Sequence, residues 1–274
     1  RAHGGALELS FLMTQMSWRA TTTALLRNKG SRMLLRVAAQ IRNDSGMNLT
    51  GQVSLIAGQA SQPQASYDYP RVAMAAAPQA YRRSAVAVQQ ESDDVDMPTQ
   101  VEDYQSFDIG ERYLQDTLVI AELFQQEVNV KKIYLHEMQG STTRVAYQFE
   151  TPRFMPQSTV QLYSESATSN IGTFVGETSL GEKQPRERAE MVFGRSSMVK
   201  IESEMVQSKG TTSSDRYELK LHATVKNRNT FASNVVLRTN LGGRDVVSIR
   251  GASFNGVDVA PKQEGGVVKF EFVA

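Results

Sequence analysis

Apolar and polar side chains alternate along most of this chain, at the period of two that sends successive side chains to opposite faces of a strand. Leu7, Leu9 and Phe11 open the pattern, Met33, Leu35 and Val37 continue it, and Val53, Leu55 and Ala57 follow. Between these runs, Asn28-Lys29-Gly30 and Asn43-Asp44-Ser45-Gly46 supply residue types that tolerate positive φ, as tight antiparallel connections require. The stretch 7–59 therefore reads as a β-meander or part of a sheet.

From 60 to 105 the composition shifts to Gln, Ala, Ser and Pro, with an acidic run over 91–96. So few aliphatic residues cannot offset ordering entropy, which predicts a long low-complexity linker, with a short helix over 79–90 as its one candidate element. Strand patterns return over 118–124, 130–135, 143–149, 158–163, 173–177 and 190–193. Leu118, Ile120 and Leu123 fall near one face, and Val145, Tyr147 and Phe149 alternate strictly, as in sheets wet on one side. The last stretch repeats the habit with Tyr217, Leu219 and Leu221, then Val235 and Leu237, then 246–249, 257–259 and 267–272. Turns at Asn227-Arg228-Asn229, Gly242-Gly243, Asn255-Gly256 and Gly265-Gly266 separate these runs.

Short strands at spacings of roughly 8–12 residues predict an immunoglobulin-like sandwich. The expected fold is all-β, in two antiparallel sandwich-like units. Residues 1–59 with 106–205 form the first, interrupted by the linker 60–105, and 206–274 form the second, immunoglobulin-like one. No repeat of fixed period and no sustained heptad pattern occurs, which argues against solenoids and coiled coils.

Composition narrows the function more than the fold. Thirty basic and twenty-nine acidic side chains leave a net charge of +1, so no global field draws nucleic acid or an anionic membrane. The absence of cysteine excludes disulfides, thiolate zinc sites and cysteine nucleophiles. No apolar run approaches the ~18 residues of a spanning helix, so direct membrane insertion is not expected. The chain opens on Arg1 without a signal-peptide pattern, which reads as a processed or truncated product.

Candidate chemistry is sparse. His3, His136 and His222 match no metal-ligand spacing, and inside strand patterns a hydrogen-bonded or outward-facing histidine is the commoner case. There is no Gly-x-Ser-x-Gly or Ser-x-x-Lys in suitable context, and Gly172-Thr173-Phe174-Val175-Gly176 lacks the Lys-Ser/Thr ending of a phosphate loop. The acidic run lacks the spaced ligands of a calcium loop, and the basic residues over 183–188 are mixed with Glu187. Neither an enzyme nor a cofactor is expected, and a hydrolase is the least favoured alternative. Two sequons, at Asn43 and Asn48, matter only in a eukaryotic secretory pathway. Trp18 reads first as core packing. The alternative makes Trp18, Tyr67, Tyr69, Tyr104 and Phe107 an aromatic set for contacting a partner, or for stacking on a glycan or peptide.

The run from Phe174-Val175-Gly176-Glu177 to Leu180-Gly181, followed by Ala189-Glu190-Met191-Val192-Phe193-Gly194-Arg195, resembles the conserved domain of unknown function in mucoidy-inhibitor-A-like proteins. Met155-Pro156-Gln157-Ser158 leading to Leu162-Tyr163, and Val225-Lys226-Asn227-Arg228, are similar to further segments of that family in the same order. Ser17-Trp18 and Asn43-Asp44-Ser45-Gly46 fall where it carries its early tryptophan and its Asn-Gly turn, although Arg19 to Thr22 replace a proline and a tyrosine and Leu49 replaces a tryptophan. The resemblance spans roughly 7–272. It implies a β fold, an upstream N-terminal domain and coiled coil missing from this chain, and no catalytic residues to carry over. With the Ser-, Thr- and Gln-rich composition it points to an extracellular or cell-envelope setting, the cytoplasm being the alternative. The expected role is a non-enzymatic structural or protein-interaction module with protein partners or self-assembly. A glycan- or peptide-binding β module is the second expectation.

Overall fold

The computed structural model describes residues 13, 15–57, 99–101, 104–115, 118–165, 172–209, 217–240, 252–264 and 267–274. These residues are all-β. In chain order the strands are β1 (Met16–Arg27), β2 (Arg32–Asn43), β3 (Leu49–Ala57), β4 (Thr99–Val101), β5 (Tyr104–Leu114), β6 (Leu118–Glu137), β7 (Thr143–Glu150), β8 (Ser158–Ser164) and β9 (Thr173–Leu180). There follow β10 (Arg188–Arg195), β11 (Val199–Lys209), β12 (Tyr217–Asn227), β13 (Asn234–Asn240), β14 (Ser253–Phe254), β15 (Val257–Asp258), β16 (Pro261–Glu264) and β17 (Val267–Val273).

Ten strands share one hydrogen-bonded array in the order β16-β17-β13-β6-β2-β1-β8-β9, with β7 joined to β6 and β10 to β7. Its pivot is β6, which changes partner along its length. Residues 118–129 pair with β2, residues 130–136 pair with β7, and residues 134–137 run parallel to β13. Both ladders, together with the separate β3-β5-β4 sheet, enclose one core that includes Met33, Leu35, Val37, Phe107, Phe154, Leu162 and Met191, all of them at most 1% exposed. A second cluster packs the β11–β12 hairpin, through Val199 and Ile201, against Tyr134, Val235 and Leu237. Ile133, Leu135, Ala146 and Val236 form a third cluster. Successive residues from Ile133 to His136 are thus buried on both faces of β6, the condition that turns a strand's alternation into a continuous apolar run.

Several sequence expectations change in the folded chain. The patterns at 118–124 and 130–135 belong to one strand of 20 residues. Opposite Val37 and Ala38 it carries a bulge, so the neighbours Leu123 and Phe124 both enter the core. Its buried face in this half is Val119, Ala121 and Leu123, while Leu118 and Ile120 are half-buried. The linker expected over 60–105 gives way earlier, because β4 and the start of β5 pair across Val101 and Tyr104. The candidate helix over 79–90 lies outside the described residues, as do Leu7, Leu9 and Phe11. The expected boundary between 205 and 206 falls inside β11, and β13 and β17 extend the large array through β6.

The turns match their residue types. Asn28, Lys29 and Gly30 take φ of 48°, 57° and 86° in a 3-10 turn joining β1 to β2, and Asn255-Gly256 takes 50° and 77° between β14 and β15.

Candidate functional site

The aromatic set divides between core and surface. Trp18, on β1, is half-buried. Its Nε1–H donates to the Ile56 carbonyl at 3.1 Å, and its ring meets Phe107 edge-on with centroids 6.4 Å apart. Phe107 packs in turn on Phe154 at 5.9 Å and is 1% exposed, which leaves it no surface to offer a partner. These two residues fasten the β3-β5-β4 sheet to β1. Tyr104, at the start of β5, is half-buried beside β4, and Tyr67 and Tyr69 lie outside the described residues.

One histidine is held by hydroxyls in a pattern that resembles a catalytic dyad. His136, on β6, is fully buried, with Nε2 at 2.8 Å from Ser203 Oγ on β11 and Nδ1 at 3.4 Å from Thr143 Oγ1 on β7. Ser203 also donates to the Met138 carbonyl at 2.9 Å. A hydroxyl has one proton, so Ser203 accepts from His136 Nε2–H, which leaves Nδ1 as the acceptor for Thr143. Thr143 Oγ1 accepts in addition from the Ile201 N–H at 3.1 Å. The histidine therefore donates to the serine, opposite to the direction of the bond through which a base activates a nucleophile. Burial lowers the histidine's pKa below its ordinary value, and the Thr142 carbonyl only partly offsets this. The ring is a neutral tie holding β11 onto β6 and β7. His222 is exposed on β12, and His3 lies outside the described residues.

Charge gathers in one place that the sequence does not advertise. Arg238, on β13, sets Nη2 at 3.0 Å from both carboxylate oxygens of Glu190 on β10, and Nη1 at 3.8 Å from Glu137 on β6. Gln148 Nε2 donates to Glu190 at 2.8 Å and accepts at Oε1 from Arg188. Arg188 continues to Glu271 at 3.7 Å, and Glu271 to Lys262 at 3.3 Å. Each carboxylate here already faces a cation, which suits a structural ladder across six neighbouring strands better than proton transfer. Among the described residues no group of three or more His, Asp or Glu could hold a metal ion, and no helix is long and apolar enough to cross a membrane.

The segments behind the family resemblance fall on β8, β9, β10 and the end of β12. A Cβ built at Gly176 of β9 would stand 3.4 Å from the ring of Phe193 on β10, so the two most similar segments lie side by side. The chain matches no protein-family model, no curated protein and no solved structure.

The surface carries the remaining signal. Strands β11 and β12 pair only with each other among the described strands. Up to Ser203 one face of this hairpin is buried, Val199 at 0% and Ile201 at 4%. Beyond it Glu204, Met205 and Val206 are all exposed, as are Lys220 and His222 opposite them.

Proposed function

We propose that the chain is a non-enzymatic protein-interaction module that receives a partner strand on the open edges of the β11–β12 hairpin. The observation that carries this reading is the change along β11, from the buried Val199 and Ile201 to the exposed Glu204, Met205 and Val206 after Ser203. A two-stranded ribbon is marginally stable in water without a third strand or a packed face. Beyond Ser203 no further described strand pairs with either edge, which leaves those edges a template for strand addition, and Met205 and Val206 offer apolar contacts on either face. The internally paired state of His136, Glu190 and Glu137 supports a module without catalysis.

A second copy is the partner that the hairpin itself suggests, since an edge can pair with its own image about a twofold axis. An immunoglobulin-like sandwich, membership of the mucoidy-inhibitor-A-like family and an extracellular or envelope setting belong to the same proposal. They rest on the strand spacing and the resemblance over 155–163, 174–181 and 189–195. Size-exclusion chromatography with light scattering over 1 to about 100 μM, with amide exchange on the same samples, tests it. A concentration-dependent dimer with added protection in 204–209 and 217–222, reduced at least tenfold by Met205→Glu with Val206→Lys, is the expected result. A monomer throughout, with unchanged hairpin exchange, would refute self-pairing.

A further inference from the structure

On a different face, the turn joining β1 to β2, the middle of β6 and the segment before β13 surround an open cleft of roughly 280 Å³. Three lysines are among its lining residues, Lys29, Lys131 and Lys132, the last two consecutive on β6 and so flanking the cleft from opposite faces of the strand, and among the described residues no Asp or Glu lines it. Some exposed cations elsewhere pair with anions, as Arg32 does with Glu127 at 3.0 Å and Lys226 with Glu202 at 2.9 Å. Here Lys132 instead lies over the Tyr134 ring, 5.3 Å from its centroid. Lys29 takes the left-handed φ of 57° that the β1–β2 turn requires, which sets it at the rim of the cleft.

The rest of the lining sets the class of ligand. Ser31 and Asn234 bring a hydroxyl and an amide, and Phe231, 60% exposed, brings an apolar ring. The floor is built: Asn229 Nδ2 donates to Tyr134 Oη at 3.1 Å and to Ser233 Oγ at 2.8 Å. We infer that this cleft binds an acidic oligosaccharide, whose carboxylate meets the lysines while its ring face stacks on Phe231 and its hydroxyls meet Ser31 and Asn234. A cation cluster alone would serve any anion, but an exposed aromatic beside amide and hydroxyl groups suits a sugar, which has both an apolar face and many hydroxyls. The volume lies just under the ~300–1,000 Å³ of drug-sized ligand sites, room for about one or two sugar rings. With a net charge of only +1, such binding is local and does not depend on a global field. This site is independent of the hairpin proposal.

Calorimetric titration of the whole chain with a hexamer of galacturonic acid tests the inference, with cellohexaose as the uncharged sugar and hexaglutamate as the acidic non-sugar. Binding of the uronate hexamer is expected, at least tenfold tighter than of either control. Lys131→Glu with Lys132→Glu should abolish it, and Phe231→Ala should weaken it about fivefold or more, with thermal unfolding unchanged in both variants. No binding of the uronate hexamer at millimolar concentration overturns the inference. Equal affinity for hexaglutamate, with Phe231→Ala silent, overturns it in favour of an acidic peptide.

Discussion

Asn43 and Asn227 end two distant strands with the same set of hydrogen bonds. Each donates from Nδ2 to the carbonyl four residues on, Met47 at 2.7 Å and Phe231 at 3.2 Å. Each donates again to a remote backbone carbonyl, Leu114 at 3.1 Å and Ala274 at 2.8 Å. Each accepts at Oδ1 from the N–H two residues on, that of Ser45 at 3.1 Å and of Asn229 at 3.0 Å. One amide thus closes a loop and locks it to a strand far away in sequence. Asn43 is 1% exposed, which also removes it as a glycosylation acceptor in the folded chain.

Substituting either residue orphans two carbonyls. Asn43→Ala is expected to destabilise by about 1–3 kcal/mol, with Asn227→Ala at the lower end because it is only half-buried. Asn43→Asp should cost more than Asn43→Ala at pH 7, since it turns a donor into a charged acceptor facing two carbonyl oxygens. Urea unfolding of the three variants measures the order, and an Asp variant as stable as wild type would contradict the arrangement.

His136 makes stability depend on pH. Its folded pKa is lowered, chiefly by burial, below the ordinary 6.5, so the unfolded chain binds a proton more readily than the folded one. The resulting stability is fully present above 6.5, falls as pH drops below 6.5 toward the folded pKa, and levels off beneath it. Glu187 and Glu202 act in a lower window. Hydrogen bonds from Lys183 and from Lys226, respectively, hold their pKa values below 4.5, so their contribution is lost only as pH falls below that value. Unfolding free energy measured from pH 7.5 to 5 should decline for wild type and remain flatter for His136→Gln, whatever that variant's absolute stability.

The Arg238–Glu190 pair is about four-fifths buried on both sides, with side-chain exposures of 22% and 21%. Removing one partner strands the other beside apolar Val236 and Ala146, while residual solvent and Gln148 soften the loss. Arg238→Met should cost about 1–3 kcal/mol, below the ~3–5 of a fully enclosed pair. The double variant Arg238→Met with Glu190→Met should be more stable than either single variant. A double-mutant cycle by chemical denaturation reads the coupling, and strict additivity would mean that the pair is idle.

Much of the fold was legible where one face of a strand is buried and the other wet. The alternation of Met33, Leu35 and Val37, and of Val145, Tyr147 and Phe149, marks β2 and β7, and the Asn-Gly turns fall where positive φ occurs. Strand β1 was hidden because its inward stripe is Ala20, Thr22, Ala24 and Leu26, mostly small or polar. Thr22 reaches the core only by pairing its hydroxyl with Ser158 at 2.8 Å, across a parallel register that no local pattern encodes. The unity of β6 was hidden by its bulge and by its doubly buried end. The histidine tie, the Arg238 ladder and the lysine cleft each join residues from three or more distant segments, so sequence alone could name His136 but not its partners.

Trp18 and Phe107 separate the packing role from a ligand role by experiment. Phe107→Ala removes a ring that touches both Trp18 and Phe154 and leaves a cavity between two sheets, which should cost about 3–5 kcal/mol. Trp18→Phe keeps most of the apolar contact and loses the bond to the Ile56 carbonyl, which should cost only about 1 kcal/mol. Thermal and urea unfolding give both values. If these aromatics instead formed a recognition surface, the order would reverse in a binding assay, and a neutral Phe107→Ala would show that the β3-β5-β4 sheet is anchored by something other than this pair.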